Sequence, residues 1–201
     1  MMAARTVLLL IATTPHPMKL FLALALPEPI EDELWPLHGG VPGADWTAPA
    51  DHHLTLRFLG EVPPDRQLAL EQALRSFRFA SLPLQLRGLG HFPPRGRPKV
   101  LWAGLADNPE LLRLQTKLER LVVGLGFGPE PRQYAPHVTL ARLRNSPPHR
   151  VAEWLGAHGL FAGQPWQADE IVLFSSRGLA GETDYQVEAR FAAVGGPVTS
   201  L

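Results

Sequence analysis

The chain of 201 residues contains no cysteine. That absence excludes disulfide bonds, thiol nucleophiles and cysteine-ligated zinc or iron–sulfur sites. Long apolar runs are also missing, since no segment approaches the ~20 residues that a membrane-spanning helix needs. The Gly-x-Ser-x-Gly elbow of serine hydrolases and the phosphate-binding loop of NTPases do not occur either. Because 45% of the residues are hydrophobic, enough to build a sizeable core, we expect a globular protein. The lack of cysteine suits a reducing compartment, so we expect it in the cytoplasm.

A second methionine, Met18, opens the apolar stretch MKLFLALALPEP. The run of apolar residues before it, about seven long, lies at the lower limit of a secretory signal, and no clean cleavage site follows it. We therefore interpret residues 1–17 as an extension or an upstream start, and residues 18–201 as a single domain.

Acidic residues are missing from two long segments. The formal net charge is zero, with 19 basic and 19 acidic residues, but residues 72–106 hold six basic residues and residues 131–152 hold four, with no Asp or Glu in either. Local charge of one sign attracts anions such as phosphate. The alternative, that acids from other segments cover these cations in the fold, stays open at this point.

A strand–helix–strand–helix–strand pattern occurs twice along the chain. We predict an α+β protein with two similar lobes and mostly antiparallel sheets flanking a central cleft. The Pro/Gly-rich segment 91–99 would cross from one lobe to the other. The predicted segments are 19–26, 28–38, 53–60, 64–77 and 82–89 in the first copy, 100–105, 109–127, 137–143, 149–160 and 170–176 in the second, and a last strand at 184–191.

Each copy carries one His-x-Thr motif, HLTL at 53–56 and HVTL at 137–140. One such motif is weak evidence of function, but two at the same place in a repeated unit indicate a shared role. In a strand, residues i and i+2 project from the same face. His53 and Thr55 should therefore point together, and so should His137 and Thr139. His52, one residue off, should point to the opposite face.

Two imidazoles and two hydroxyls around one cleft suit displacement at phosphorus. One histidine can act as a base and the other as an acid, because imidazole titrates near neutral pH. A threonine hydroxyl can donate a hydrogen bond to a phosphate oxygen. A pair of metal ligands is the alternative, but no His-x-x-x-His pair or neighbouring Glu supports it. We expect neither a metal nor another cofactor.

Five segments together resemble the RNA 2′,3′-cyclic phosphodiesterases, also described as 2′-5′ RNA ligases, of the two-histidine phosphoesterase superfamily. The similarity runs from about Met18 to Phe191. The segments are HLTLRFLGEV, PHVTLARL, KLFLALALPE, GLGHFPPRGRPKVLWAGL and EIVLFSSRGLAGETDYQVEARF.

The resemblance implies hydrolysis of a terminal ribose 2′,3′-cyclic phosphate to a 2′-phosphate, without metal or ATP. By position, His53 would donate a proton to the leaving 3′-oxygen and His137 would accept one from water. Thr55 and Thr139 would hold the non-bridging oxygens. Because the motifs are nearly identical, the residues alone do not separate donor from acceptor. RNA ends would be the partners, with no membrane, and we expect a monomer.

Four more residues are candidate substrate contacts: Arg142, Arg57, Phe58 and Tyr134. Arg142 lies five residues after His137, so a regular strand would turn it away unless a bulge intervenes. Arg57 follows the first motif on the same strand. We interpret Phe58, five residues after His53, as a core residue first and a base-stacking platform second, and Tyr134 as structural first and a base contact second.

Two features complete the sequence predictions. Relatives often carry a basic residue just before the second Pro-His, where this chain has Ala135. The other histidines have no repeated counterpart, and we interpret them as surface or loop residues: His16, His38, His91, His149 and His158.

Two other functions stay open. The same cleft could join RNA ends as a 2′-5′ RNA ligase, or bind RNA ends without turnover. Hydrolysis is favoured in water, and a binding module has no need of two matched imidazoles, so we rank both below the phosphodiesterase.

Overall fold

The computed structural model describes residues 18–177 and 184–194. The predicted extension, residues 1–17, lies outside the described residues. None of the helices in the described part has the length and apolar composition of a membrane span. The elements in chain order are β1 (Met18–Ala25), α1 (Glu28–Leu34), β2 (Ala44–Trp46), β3 (His53–Val62), α2 (Pro64–Arg75), β4 (Leu82–Phe92), β5 (Val100–Leu105), α3 (Pro109–Gly124), β6 (His137–Leu143), α4 (Pro148–His158), β7 (Ala162–Ala168), β8 (Glu170–Arg177) and β9 (Asp184–Ala192).

The strands form one hydrogen-bonded order, β7-β4-β5-β6-β3-β1-β8-β9, with β2 paired to β6. All these pairs are antiparallel. The predicted α+β class with antiparallel strands is confirmed. The two motif strands, β3 and β6, lie at the centre and meet at one pair, Leu54 and Val138. Each half of the order therefore spreads outward from one motif.

The third strand of each sequence repeat joins the half built by the other repeat. β4 pairs with β5, and β8 pairs with β1. The expectation that residues 91–99 cross between lobes is therefore wrong, because this segment is the turn of the β4–β5 hairpin, closed by Phe92 opposite Val100. Proline and glycine favour a hairpin turn as well as a crossover, so only the pairing of the strands decides.

Helix α3 shows how the core side of the sheet is built. Asn108 caps its start by accepting a hydrogen bond from the backbone N–H of Leu111 at 2.9 Å, which satisfies a donor that the first turn leaves free. Its buried residues follow helical spacing: Leu111, Leu114, Leu118 and Val122. This apolar stripe joins the core that also holds Leu54 and Val138, both fully buried. The opposite side of β3 and β6 is left for polar groups.

Candidate active site

The central strand pair gathers the two motifs on one face. Leu54 and Val138 lie opposite each other and are 0% exposed. Since neighbours along a strand point to opposite faces, the residues on either side of this pair project away from the core together. They are His53, Thr55, His137 and Thr139, all half-buried.

A backbone carbonyl fixes each motif histidine in the same way. The Nδ1 atom of His53 lies 2.7 Å from the carbonyl oxygen of Asp51, and Nδ1 of His137 lies 2.7 Å from that of Ala135. A carbonyl oxygen only accepts, so Nδ1 carries the proton in both rings. Each Nε2 is therefore the atom left to exchange a proton with a ligand.

Aromatic rings enclose the two imidazoles unequally. Phe92 meets His137 edge-on, with a distance of 4.9 Å between ring centroids. Trp102 is more distant from His137, at 6.5 Å. Three rings lie within 4.8 to 5.8 Å of His53: Phe21, Tyr185 and Phe174. Such apolar walls reduce the contact of both histidines with water.

This burial makes both histidines poor proton binders in the protein alone. It lowers the pKa of His53 to about 4, partly countered by the hydrogen bond to the Asp51 carbonyl, and the charges of His137 and Arg142 lower it further. Burial also lowers the pKa of His137, and the Ala135 carbonyl opposes this shift. Both rings are therefore neutral at pH 7. A negative charge beside them would raise both pKa values.

A bulge after the first motif reverses the alternation of side chains in β3. The register with β1 shifts between the partners of Arg57 and Thr55, which makes Leu56 the extra residue. Leu56 and Arg57 are both buried in succession. Phe58 consequently returns to the motif face, where 50% of it is exposed. The interpretation of Phe58 as a core residue is wrong for this reason.

The second motif strand has a bulge at the equivalent position. In β6 the register with β5 shifts between the partners of Thr139 and Ala141, so Leu140 is the extra residue. Leu140 and Ala141 are both fully buried, and Arg142 is exposed. The bulge that Arg142 requires to face its motif is therefore present. The influence of Arg142 on the pKa of His53 agrees with this placement.

Arg57 points into the core side instead. Only 7% of it is exposed, and its Nε donates to Glu119 of α3 at 2.5 Å. Its remaining nitrogens bind the carbonyl oxygens of Phe58 and Gly128, and Nη1 lies 3.6 Å from Glu130. The guanidinium thus joins β3 to α3 and the following loop. We do not retain Arg57 among the substrate contacts.

Tyr134 connects the two motifs. Its hydroxyl donates to the carbonyl oxygen of Thr55 at 3.2 Å, and burial raises its pKa above the ordinary value. The loop before the second motif is thereby held against the strand of the first. This contact gives Tyr134 a structural role and occupies its proton.

A cavity of about 470 Å³ opens next to His53. Phe21 and Tyr185, which contact the His53 ring, also line the cavity. The other lining residues are Lys19, Leu20, Phe58, Gly60, Glu61, Arg142, Arg144 and Ser176. Sequence reasoning missed Lys19 and Arg144. Arg144 lies two residues after Arg142, so strand alternation continued from Arg142 would have indicated it.

His52 lies on the opposite face from His53, as predicted, and is only 3% exposed. Its ring meets that of His38 edge-on at 5.6 Å, and His38 stacks on Trp46 at 5.2 Å. His38 lies in a loop, as predicted. It is half-buried, however, and is therefore not a surface residue. These two histidines belong to a packed aromatic cluster and not to the motif face.

The sequence pattern of the LigT-like phosphoesterases matches this chain twice, over residues 24–102 and 104–182. Each match contains one His-x-Thr strand. The chain belongs to the LigT-like phosphoesterase family. The family resemblance stated above is therefore confirmed, and the double match agrees with the repeat seen in the sequence and in the strand order.

Curated relatives of this chain carry the name RNA 2′,3′-cyclic phosphodiesterase. An RNA 2′,3′-cyclic phosphodiesterase of Aeropyrum pernix is 40% identical over 110 residues, which is 54% of this chain and 62% of the relative. One of Geobacillus stearothermophilus is 31% identical over 159 residues, which is 78% of this chain and 50% of the relative. The matched regions thus span between half and two thirds of these relatives.

Solved structures of the LigT-like family share the fold over almost their whole length. A Thermus thermophilus protein is 30% identical with a TM-score of 0.71, and the match covers 87% of this chain and 97% of that one. E. coli LigT complexed with 3′-AMP is 25% identical with a TM-score of 0.71, covering 88% of this chain and 98% of that one. This chain therefore has the same fold as these two solved structures.

Proposed function

We propose that the protein hydrolyses the 2′,3′-cyclic phosphodiester at the end of an RNA to a 2′-phosphomonoester. The observation that carries the proposal is the matched pair of histidines on one face, each with Nδ1–H held by a carbonyl and Nε2 available. The names of the curated relatives and the 3′-AMP complex of E. coli LigT support a nucleotide substrate.

One histidine acts on the attacking water and the other on the leaving 3′-oxygen. Nε2 of His137 takes a proton from water as the water oxygen bonds to phosphorus. The bond from phosphorus to the 3′-oxygen breaks on the opposite side, and Nε2–H of His53 gives its proton to that oxygen. One water is consumed, and the products are a 2′-phosphate and a free 3′-hydroxyl. The roles of donor and acceptor follow the family resemblance.

His53 must gain a proton before it can serve as the acid. Burial keeps its pKa near 4 in the protein alone, so at pH 7 the ring is neutral. The bound cyclic phosphate carries one negative charge, and a nearby negative charge favours the protonated imidazole. Substrate binding thus supplies the condition that makes the acid.

The neighbouring groups bind the phosphate and the nucleoside. The hydroxyls of Thr55 and Thr139 donate to the non-bridging oxygens, and Arg142 balances the charge that grows on them in the transition state. Phe58 offers an exposed ring next to the cavity, on which a base can stack. We assign no substrate contact to Tyr134 or Arg57.

We further propose that the folded unit is one domain, beginning near Met18, and that it works as a cytoplasmic monomer on RNA ends. Both motif histidines and the cavity come from one chain, so the proposed site needs no second copy. The lack of cysteine suits a reducing compartment. Light scattering on the protein as it elutes from a size-exclusion column would measure its mass in solution, and we expect the mass of one chain.

The product of the reaction tests the proposal. Purified protein is incubated with cytidine 2′,3′-cyclic phosphate in excess EDTA, and the phosphorus NMR spectrum identifies the product. We expect cytidine 2′-phosphate at an unchanged rate with EDTA. Absence of turnover would refute the enzyme, a 3′-phosphate would refute the leaving group, and loss of activity in EDTA would indicate a metal. Added RNA with a 5′-hydroxyl would reveal any 2′-5′ joining.

A further inference from the structure

The turn of the β4–β5 hairpin carries three cations that the proposed reaction does not use. Arg95, Arg97 and Lys99 are all exposed, and they belong to the long segment without acidic residues. Within residues 18–177 and 184–194, no ion pair involves any of the three. Among the described residues, no acid pairs with the cations of this turn, which is the alternative that the sequence left open.

The turn is fixed next to the second motif. Phe92, where the turn begins, meets the ring of His137 at 4.9 Å. The backbone N–H of Lys99 donates to the carbonyl of Phe92 at 2.7 Å and closes the turn. The backbone carbonyl of Lys99 in turn accepts a hydrogen bond from the backbone N–H of Leu143 at 2.8 Å. The cations are therefore held at a defined place beside the catalytic face.

The end of β6 connects this turn to the cavity. A nitrogen of Arg97 lies 3.4 Å from the side-chain oxygen of Asn145, directly after Arg144. Arg142 and Arg144 line the cavity beside His53, together with Lys19. We call this continuous surface the basic track, and its members are Arg95, Arg97, Lys99, Arg142, Arg144 and Lys19.

Among residues 18–177 and 184–194, two carboxylates are found along the basic track. Asp45 pairs with Arg144 at 3.2 Å, and Glu61 lines the cavity. Six cations against two acids leave a positive surface, and the three cations of the turn account for much of the excess. Phosphates of nucleic acids bind such surfaces from lysine and arginine side chains, with little dependence on sequence.

We propose that the basic track binds the sugar–phosphate backbone of the RNA strand that leads to the cyclic end. The preferred substrate is then an oligoribonucleotide and not a cyclic mononucleotide. The strand is RNA, because a 2′,3′-cyclic phosphate requires the 2′-oxygen of ribose. This inference rests on the proposed function, and it adds the class of substrate that the same site prefers.

The test compares two substrates and two triple variants. The substrates are cytidine 2′,3′-cyclic phosphate and a five-nucleotide RNA with the same cyclic end. The variant Arg95→Gln/Arg97→Gln/Lys99→Gln removes the charge of the turn. The matched control, Arg78→Gln/Arg113→Gln/Arg120→Gln, removes the same charge from exposed positions before β4 and on α3. Helix α3 contacts the core side of β3 through Glu119 and Arg57.

We expect wild type to have at least tenfold higher kcat/KM for the pentanucleotide. The turn variant should lose about tenfold on that substrate and less than twofold on the cyclic mononucleotide, while the control changes neither. The slope of log kcat/KM against log salt should fall in magnitude by up to about 2, since each lost contact to a single strand removes roughly 0.7.

Three results would overturn the proposal: no preference for the pentanucleotide, an equal loss on both substrates, or an equal loss in the control. Failure of the proposed function is separate from these, because wild type would then turn over neither substrate.

Discussion

The two motif strands share the same backbone pattern, and on the motif face they differ at the fifth residue after the histidine. Both histidines bind a carbonyl two residues back, and both strands bulge after the threonine. The fifth residue is Phe58 in one strand and Arg142 in the other. A repeated fold can thus supply two equivalent imidazoles, while one position outside the motif gives one side an aromatic ring and the other a charge.

Removing either histidine should have the largest effect and break the symmetry of the pair. His53→Gln and His137→Gln should each lower kcat about 10³-fold, because each group transfers a proton in the transition state. The measurement is the steady-state rate on the five-nucleotide RNA that ends in a 2′,3′-cyclic phosphate. His149→Gln changes an exposed histidine of α4 and should keep full activity. Activity within tenfold of wild type in either motif variant would mean that its histidine transfers no proton.

A substrate with sulfur in place of the 3′-oxygen separates the two histidines in the same experiment. A thiolate leaves without a proton donor, since a thiol has a pKa of about 8.5. His53→Gln should regain most of its lost rate on this substrate, and His137→Gln should not. If only the His137 variant recovered its rate, His137 would be the proton donor and His53 the proton acceptor.

The fifth residues should give a smaller effect and sharpen the comparison. Arg142→Gln should lower kcat/KM roughly 30-fold, since a charged hydrogen bond to the transition state contributes about 2 kcal/mol. Phe58→Leu should cost about 1 kcal/mol or fivefold, chiefly in KM, because the ring binds the base and not the reacting phosphate. Equal losses in kcat for the two variants would contradict this division of roles. Arg57→Gln is not a suitable control, because it removes the ion pair with Glu119.

The sequence predicted what depends on local periodicity. The alternation of a strand placed His53, Thr55 and their counterparts on one face, and His52 on the other. The bulges at Leu56 and Leu140 could not be predicted, because the extra residue is an ordinary leucine and its position depends on pairing with neighbouring strands. For that reason Phe58 was wrongly assigned to the core, and the direction of Arg142 stayed open.

Strand pairing also decided what the sequence could not. Strand β7, with the sequence AGQPWQA, contains glycine and proline and was not predicted. It lies at the edge of the strand order, where it pairs only with β4 among the described strands. An edge strand tolerates proline because one side needs no hydrogen bonds. Strand pairing also decided the structure of residues 91–99, since the pairing of β4 with β5 makes this segment a hairpin turn.

The adjacent histidines His52 and His53 offer the last comparison, between the two faces of one strand. Burial lowers the pKa of His52 to about 4, helped by the charges of His38 and His53. Both of its ring nitrogens are buried without a hydrogen-bond partner among the described residues. A proton on this ring would be buried away from bulk solvent, with no acceptor among the described residues to stabilise it. The folded protein therefore resists protonation at His52.

This resistance makes stability depend on pH in a defined direction. The pKa of His52 is near 4 when folded and about 6.5 when unfolded. Above pH 6.5 neither state binds the proton, so the contribution vanishes; between pH 6.5 and 4 only the unfolded state binds it, and stability falls. The loss reaches roughly 3 kcal/mol at pH 4. His53, with a similar pKa, adds a loss of the same sign.

Replacing His52 should flatten this dependence without removing activity. His52→Phe keeps an aromatic ring and cannot be protonated, so its unfolding free energy in urea should fall by about 3 kcal/mol less than that of wild type between pH 6.5 and 4. His52→Leu provides a second variant if the larger ring disturbs packing. His149→Gln, a change at an exposed position of α4, should follow wild type. A wild-type slope in both His52 variants would show that His38 and His53, whose charges act on the pKa of His52, carry the acid sensitivity.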